Sequence, residues 1–94
     1  MTKESNVFLQ NMEVLAGQVV NYYRTIGVAS IRVNDVLEVG DSIHIKGHTT
    51  DFEQTVGSLQ IGHRMVNRVS AGEIAGLKVK DFVRKHDCIY RIMD

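Results

Sequence analysis

The sequence predicts an all-β fold, a small antiparallel β-barrel of six or seven strands, and three observations carry that expectation. Apolar residues alternate with polar ones at a period of two, as Ile43 and Ile45 do between Ser42, His44 and Lys46, which marks a strand with one buried face. These runs are short and punctuated by glycine turns such as Val39-Gly40-Asp41 and Ser70-Ala71-Gly72-Glu73. No helix-period segment exceeds about three turns, and there is no room for the crossover of about a dozen residues that parallel strands need.

The elements follow in order. Residues 1–13 read as an N-terminal tail, or a short helix, since Phe8, Met12 and Leu15 share helical spacing; the barrel domain takes residues 14–94. Residues 18–23 (QVVNYY) are β-branched and aromatic, which suits a strand. Ala29, Ile31 and Val33 alternate with Ser30 and Arg32 until Asn34 and Asp35 break the pattern. The strand of Ile43 and Ile45 ends at Gly47, and residues 48–51 form a polar loop whose side chains can bond turn backbone. Phe52, Gln54 and Val56 start the next strand, with a bulge at Gly57 before Leu59 and Ile61, and residues 64–69 carry on after Gly62. Leu77 and Val79 alternate with Lys78 and Lys80, and a last strand covers residues 88–93 with either face eligible for burial. The alternation assigns Ile31, Val33, Val39, Ile43, Ile45, Phe52, Val56, Leu59, Leu77 and Val79 to the core.

A chain of 94 residues holds one domain, and so small a domain buries only about 60–65% of its unfolded surface, so a single core must stabilise it. Eleven basic residues balance eleven acidic ones, which excludes the overall basic footprint of a dedicated nucleic-acid binder but not a local patch. The single cysteine, Cys88, supports neither an internal disulfide nor a thiolate zinc site and fits a reducing compartment. With no apolar signal region and no membrane span in the sequence, the expected location is the cytoplasm.

Several motifs resemble a known family. VGDSIHIKG (residues 39–47) resembles a strand of the second domain of translational GTPases such as elongation factor Tu, and residues 56–61 and 69–77 resemble that domain's next two strands and the turn between them. HDCIY (residues 86–90) sits where its return strand would be, with Lys85-His86-Asp87 in place of a glycine-containing turn; the likeness covers about residues 17–92. IHIKGHTTDFEQTV (residues 43–56) and TIGVA (residues 25–29) look closer still to short stand-alone translation elongation factor-like proteins. A related barrel occurs at the C-terminus of U32-type collagenase-like peptidases. The resemblance implies a barrel like domain 2 of translation factors and a non-enzymatic binding module contacting RNA or a ribosome- or translation-associated protein. Its alternative is an accessory substrate- or RNA-recognition barrel working with a U32-type peptidase.

The residues themselves show no acid–base or nucleophile set of an independent enzyme. No G-x-x-x-x-G-K-[ST] loop is present, so neither GTP binding nor GTP hydrolysis is expected, and no metalloprotease, hydrolase-elbow or dinucleotide motif occurs. No cofactor is expected. His44, His48 and Asp51 are of metal-ligating types, but four residues of strand span about 13 Å, too far for two ligands of one ion, so no metal site is expected. Cys88 beside His86 lacks an orienting third group and reads as a small buried hydrophobe. The candidate partner surface is the hairpin of His44, Lys46, His48, Thr49, Thr50 and Asp51, which crowds donors, acceptors and a cation onto a loop held by a sheet. Tyr22 and Arg24 are the second candidate, an aromatic beside a cation that suits stacking on bases. The basic groups His63, Arg64, Arg68 and Lys78, Lys80, Arg84, Lys85 read as solvated faces, the second diluted by Glu73, Asp81 and Asp87.

Overall fold

The protein is seen in a computed structural model that describes residues 12–93, so the tail's Phe8 and the rest of residues 1–11 lie outside the described residues. The described chain forms ten strands, more and shorter ones than the six or seven expected: β1 (Glu13–Tyr23), β2 (Val28–Val33), β3 (Leu37–Glu38), β4 (Ser42–Lys46), β5 (Asp51–Thr55), β6 (Leu59–Ile61), β7 (Arg64–Val66), β8 (Arg68–Val69), β9 (Ile74–Lys78) and β10 (Cys88–Ile92). Eight of them make one antiparallel sheet in the order β5-β4-β10-β1-β2-β9-β6-β7, and β3 pairs with β8 in a separate ribbon. The all-β, antiparallel expectation holds. Among the described residues no helix is long and apolar enough to cross a membrane.

Alternation builds the core. Ile31, Ile43, Ile45, Leu59, Leu77 and Ile89 are each fully buried, while their neighbours Arg32, His44, Lys46 and Lys78 face outward. Burying each such side chain contributes roughly 1.5–3 kcal/mol. In β10 it is the Ile89 side that turns inward, which settles the face left open by the sequence.

β1 is the spine of the sheet and departs from simple alternation. Its register shifts between Leu15 and Gly17 against β10, and between Val19 and Asn21 against β2. Each shift inserts an unpaired residue that bends the strand. The first leaves Leu15 outward at 44% exposure beside a buried Ala16, so Leu15 belongs to a strand rather than to a helix. The second sets Tyr22 opposite the buried Ala29, packing Tyr22 on the core and leaving Tyr23 outward.

Other expectations need correction. Val39 is 41% exposed, because Leu37 enters the core instead, from the β3–β8 ribbon. Phe52 is half-buried, packing against the core with the Lys80 ammonium 6.0 Å from its ring centre. Residues 64–69 are two strands, and they pair with different partners: β7 with β6, β8 with β3. In the Val39-Gly40-Asp41 turn the Asp41 carboxylate accepts the Glu38 N–H at 2.9 Å.

Among the described residues no backbone ladder joins edge strands β5 and β7, so the pairing does not close into a barrel. Instead a single side chain spans from β5 to the end of β9. Gln54 donates from Nε2 to the Lys78 carbonyl at 2.9 Å and accepts the Lys80 N–H on Oε1 at 2.9 Å. Its amide thus copies the donor and acceptor of a neighbouring peptide group.

Two loop features position the candidate surfaces. Gly47 has Asp87 directly over it, so that a Cβ there would lie 1.8 Å from Asp87 Oδ1. Asp87 is buried, and its other oxygen accepts the Arg84 N–H at 2.8 Å, tying the residues 84–87 turn to the β4–β5 hairpin. In the turn before β10, His86 adopts φ 77°, a left-handed conformation that favours residues without a Cβ.

Candidate functional site

The two predicted surfaces come out differently built. Cross-strand register places His44 of β4 beside Tyr90 of β10 and Lys46 beside Cys88, all outward. Glu13, at the start of β1, reaches over β10 to this face. Its Oε2 lies 2.7 Å from His44 Nδ1 and its Oε1 lies 3.4 Å from Lys46 Nζ. On the other side His44 Nε2 lies 2.5 Å from Asp51 Oδ1. Both ring nitrogens therefore face carboxylates, and only the imidazolium donates from both.

The charges are tuned accordingly. Partial burial pulls the His44 pKa down, but the hydrogen bonds and charges of Asp51 and Glu13 outweigh it and hold the imidazole above its ordinary value. Burial pushes Glu13 up, yet the His44 hydrogen bond and the nearby His44 and Lys46 charges bring its carboxyl below the usual range. Tyr90, with the Lys46 ammonium 5.0 Å from its ring centre, is pushed up by burial and then by Cys88.

Of the six hairpin candidates, His44, Lys46 and Asp51 thus join one ion-pair chain. Thr50 is buried, and its carbonyl accepts the Gly47 N–H at 2.8 Å to close the hairpin. Thr49 Oγ1 accepts from Arg84 Nε at 2.9 Å on the far side of the loop, and His48 is exposed. Among the described residues no three His, Cys, Asp or Glu side chains are placed to hold a metal ion.

Tyr22 and Arg24 meet a residue the sequence reading did not select. Phe82, in the loop between β9 and β10, is 64% exposed. The Arg24 guanidinium carbon sits 5.5 Å from its ring centre, and Tyr22 meets it edge-on at 6.1 Å with planes 66° apart. A groove of about 340 Å³ runs along this corner, lined by Tyr22, Arg24, Phe82, Val83 and Arg84. A second, of about 280 Å³, lies on the hairpin side of Phe82, where Thr49, Thr50, Asp51 and Phe52 face Asp81 and Arg84. The sequence signal for Phe82 was slight: an aromatic between Asp81 and Val83, two residues before Arg84. Arg24, its cation partner, lies 58 positions away in the chain, so only folding reveals the pair.

Cys88 is half-buried and donates weakly from Sγ to the His86 carbonyl at 3.9 Å. No contact pairs its thiol with the His86 ring among the described residues.

Comparison with known proteins gives the following. No family model matches the sequence. It is 39% identical over 79 residues to the uncharacterized protease MJ0090 of Methanocaldococcus jannaschii, a stretch taking in 83% of this chain and 19% of that protein. The chain therefore spans less than a quarter of the curated relative it matches. Its fold is that of the C-terminal domain of a Geobacillus thermoleovorans protein assigned to the U32 peptidases, with a TM-score of 0.79 and 18% identity, covering 83% of this chain and 91% of that one. The selenomethionine form of the same domain superposes with a TM-score of 0.76 at 19% identity, over 80% of this chain and 95% of that one. The structural likeness shows the fold alone; it supports the expected kinship with a U32-type C-terminal domain and does not support the expected translation-factor barrel.

Proposed function

We propose that this chain is a non-enzymatic accessory domain that works with a U32-type peptidase module and supplies recognition of that module's substrate. The observation that supports the reading most directly is the 39% identity with a segment amounting to 19% of an archaeal protease. That this chain matches so small a share of the relative, and has the fold of a U32 C-terminal domain, supports the reading of an appended unit.

The geometry is consistent with recognition. The His44 imidazolium is held between two carboxylates, so neither ring nitrogen is free to take a proton from a nucleophile. The grooves beside Phe82 are open troughs bounded by rigid strands and turns, the setting in which recognition residues gather. In this reading the domain operates in the cytoplasm, and its protein partner is the catalytic module.

The test is affinity purification at native expression, with proteins and RNA both identified. Stoichiometric recovery of a U32-type peptidase module is the expected result. Recovery of ribosomes or translation factors without any such module would replace this reading with the translation-associated one.

A further inference from the structure

We infer that the Phe82 corner is a binding site for single-stranded nucleic acid, with Phe82 as the stacking platform and Arg24, Arg84 and Lys80 as the phosphate contacts. The inference deepens the accessory-domain reading, since it names the class of polymer recognised.

The exposed ring is the first observation. Phe82 leaves most of its surface in water while the smaller aliphatics of this chain fill the core. Its orientation is fixed nonetheless: the backbone N–H donates to Asp81 Oδ1 at 2.9 Å, and Tyr22 braces the ring edge-on. A ring that keeps most of its surface in water, with a guanidinium beside it, offers an unstacked base a platform, and every base has a π-face to place on it, so such stacking tolerates sequence. A paired base inside a duplex presents no face to it.

Charge is the second observation. Arg24 stands at the ring, Arg84 lines both grooves, and Lys80 reaches the Phe52 ring that borders the second groove. None of the three forms a salt bridge among the described residues. The nearby acids are held by other groups, Asp81 and Asp87 by backbone N–H groups that leave their charge in place, and none forms a salt bridge with these three cations among the described residues. Asp87 is buried and caps Arg84, Asp51 pairs with His44, and Asp81 accepts the Phe82 N–H. Arg84 is also held in place, because its Nε donates to Thr49 Oγ1 while the residue lines both grooves. An acidic peptide would account for the cations but not for the solvent-facing ring between them. Three cations at the corner correspond to contact with about two or three phosphates.

The experiment is fluorescence anisotropy of a labelled ten-nucleotide oligouridylate against the 94-residue chain at low salt. Expected is saturable binding whose logarithmic salt slope is about −1.4 to −2.1, corresponding to two or three phosphates on a single strand. Phe82→Ala should weaken it about 5- to 100-fold and Phe82→Trp should retain it, as for base–aromatic stacking. Arg84→Ala should reduce the salt slope by about 0.7. Ile74→Ala, on the outer face of β9, should leave both unchanged, and circular dichroism should show each variant folded. The inference is overturned by the absence of saturable binding up to ~100 µM protein, by binding that Phe82→Ala leaves intact, or by a labelled hexaglutamate that binds as tightly as the oligonucleotide. Because the isolated chain is used, failure here leaves the peptidase association standing, and failure of the affinity purification leaves this site standing.

Discussion

At His44 every charged group meets its opposite, whereas at Phe82 the cations meet aromatic rings. The two regions share one scaffold, for the residues 84–87 turn behind Phe82 is pinned to the hairpin after His44 through Asp87 above Gly47. On the sheet face, Glu13, His44, Lys46 and Asp51 neutralise one another and fasten β1 and β5 to β4 across the ladder. At the corner, Arg24 and Arg84 are positioned by a ring and a hydroxyl, neither of which cancels their charge. Residue type alone therefore does not mark a recognition surface. Polar crowding stabilises where the partners are internal, and where they are missing it leaves charge for the ligand proposed above.

The largest expected effect lies beneath the ion-pair face. Ile45→Ala removes a fully buried side chain under His44 and Lys46 and should cost about 2–5 kcal/mol in urea denaturation. Gly47→Ala comes next, because the new methyl would fall on the Asp87 carboxylate at the joint between the regions. It should cost about 1–3 kcal/mol by overpacking, and should disturb the hairpin and the Phe82 loop together in amide exchange. Disturbance of the hairpin alone would show the regions to be uncoupled.

His44→Ala should cost about 1 kcal/mol, since Asp51 is largely exposed and its share is screened. The pH dependence has a definite sign. His44 is raised on folding, so its contribution is complete below the ordinary histidine value of 6.5 and is lost as pH rises through its higher folded value. Glu13 is lowered, so its contribution is complete above 4.5 and is lost as pH falls through its lower folded value. The melting-temperature gap between wild type and His44→Ala should therefore be widest between those two pH values and narrow on the alkaline side. A gap that widens with alkalinity would mean that the neutral imidazole is the stabilising form. The smallest effect belongs to the turn behind the corner. His86→Gly relieves a left-handed φ and should raise stability by up to about 1 kcal/mol in thermal melts.

Much of the fold was legible because alternation has one solution where one face is wet. Ile43 and Ile45 inside with His44 outside follows from the pattern alone. Legibility failed where a strand breaks its period. The bulges in β1 decide which of Tyr22 and Tyr23 faces the core; Gly17 sits at the first, a signal the alternation reading did not use, and the shift between Val19 and Asn21 has no such mark. Val39 looked like a core residue because it precedes a strand, but the neighbouring ribbon supplies Leu37 instead. The site was less legible. His44, Lys46 and Asp51 were selected for being close in sequence, but Glu13, which neutralises the first two, was assigned to the tail. Phe82 escaped notice because its meaning depends on Arg24, placed beside it by the fold.

The contrast between the two regions is tested most directly by carrying His44→Ala and Phe82→Ala through the same pair of assays, thermal melting and oligouridylate anisotropy. The expected result is a crossed pattern: His44→Ala lowers the melting temperature and binds as wild type does, while Phe82→Ala melts within about 0.5 kcal/mol of wild type and loses binding. If His44→Ala abolishes binding while Phe82→Ala retains it, the recognition surface is the His44 hairpin and the assignment of roles to the two regions is contradicted.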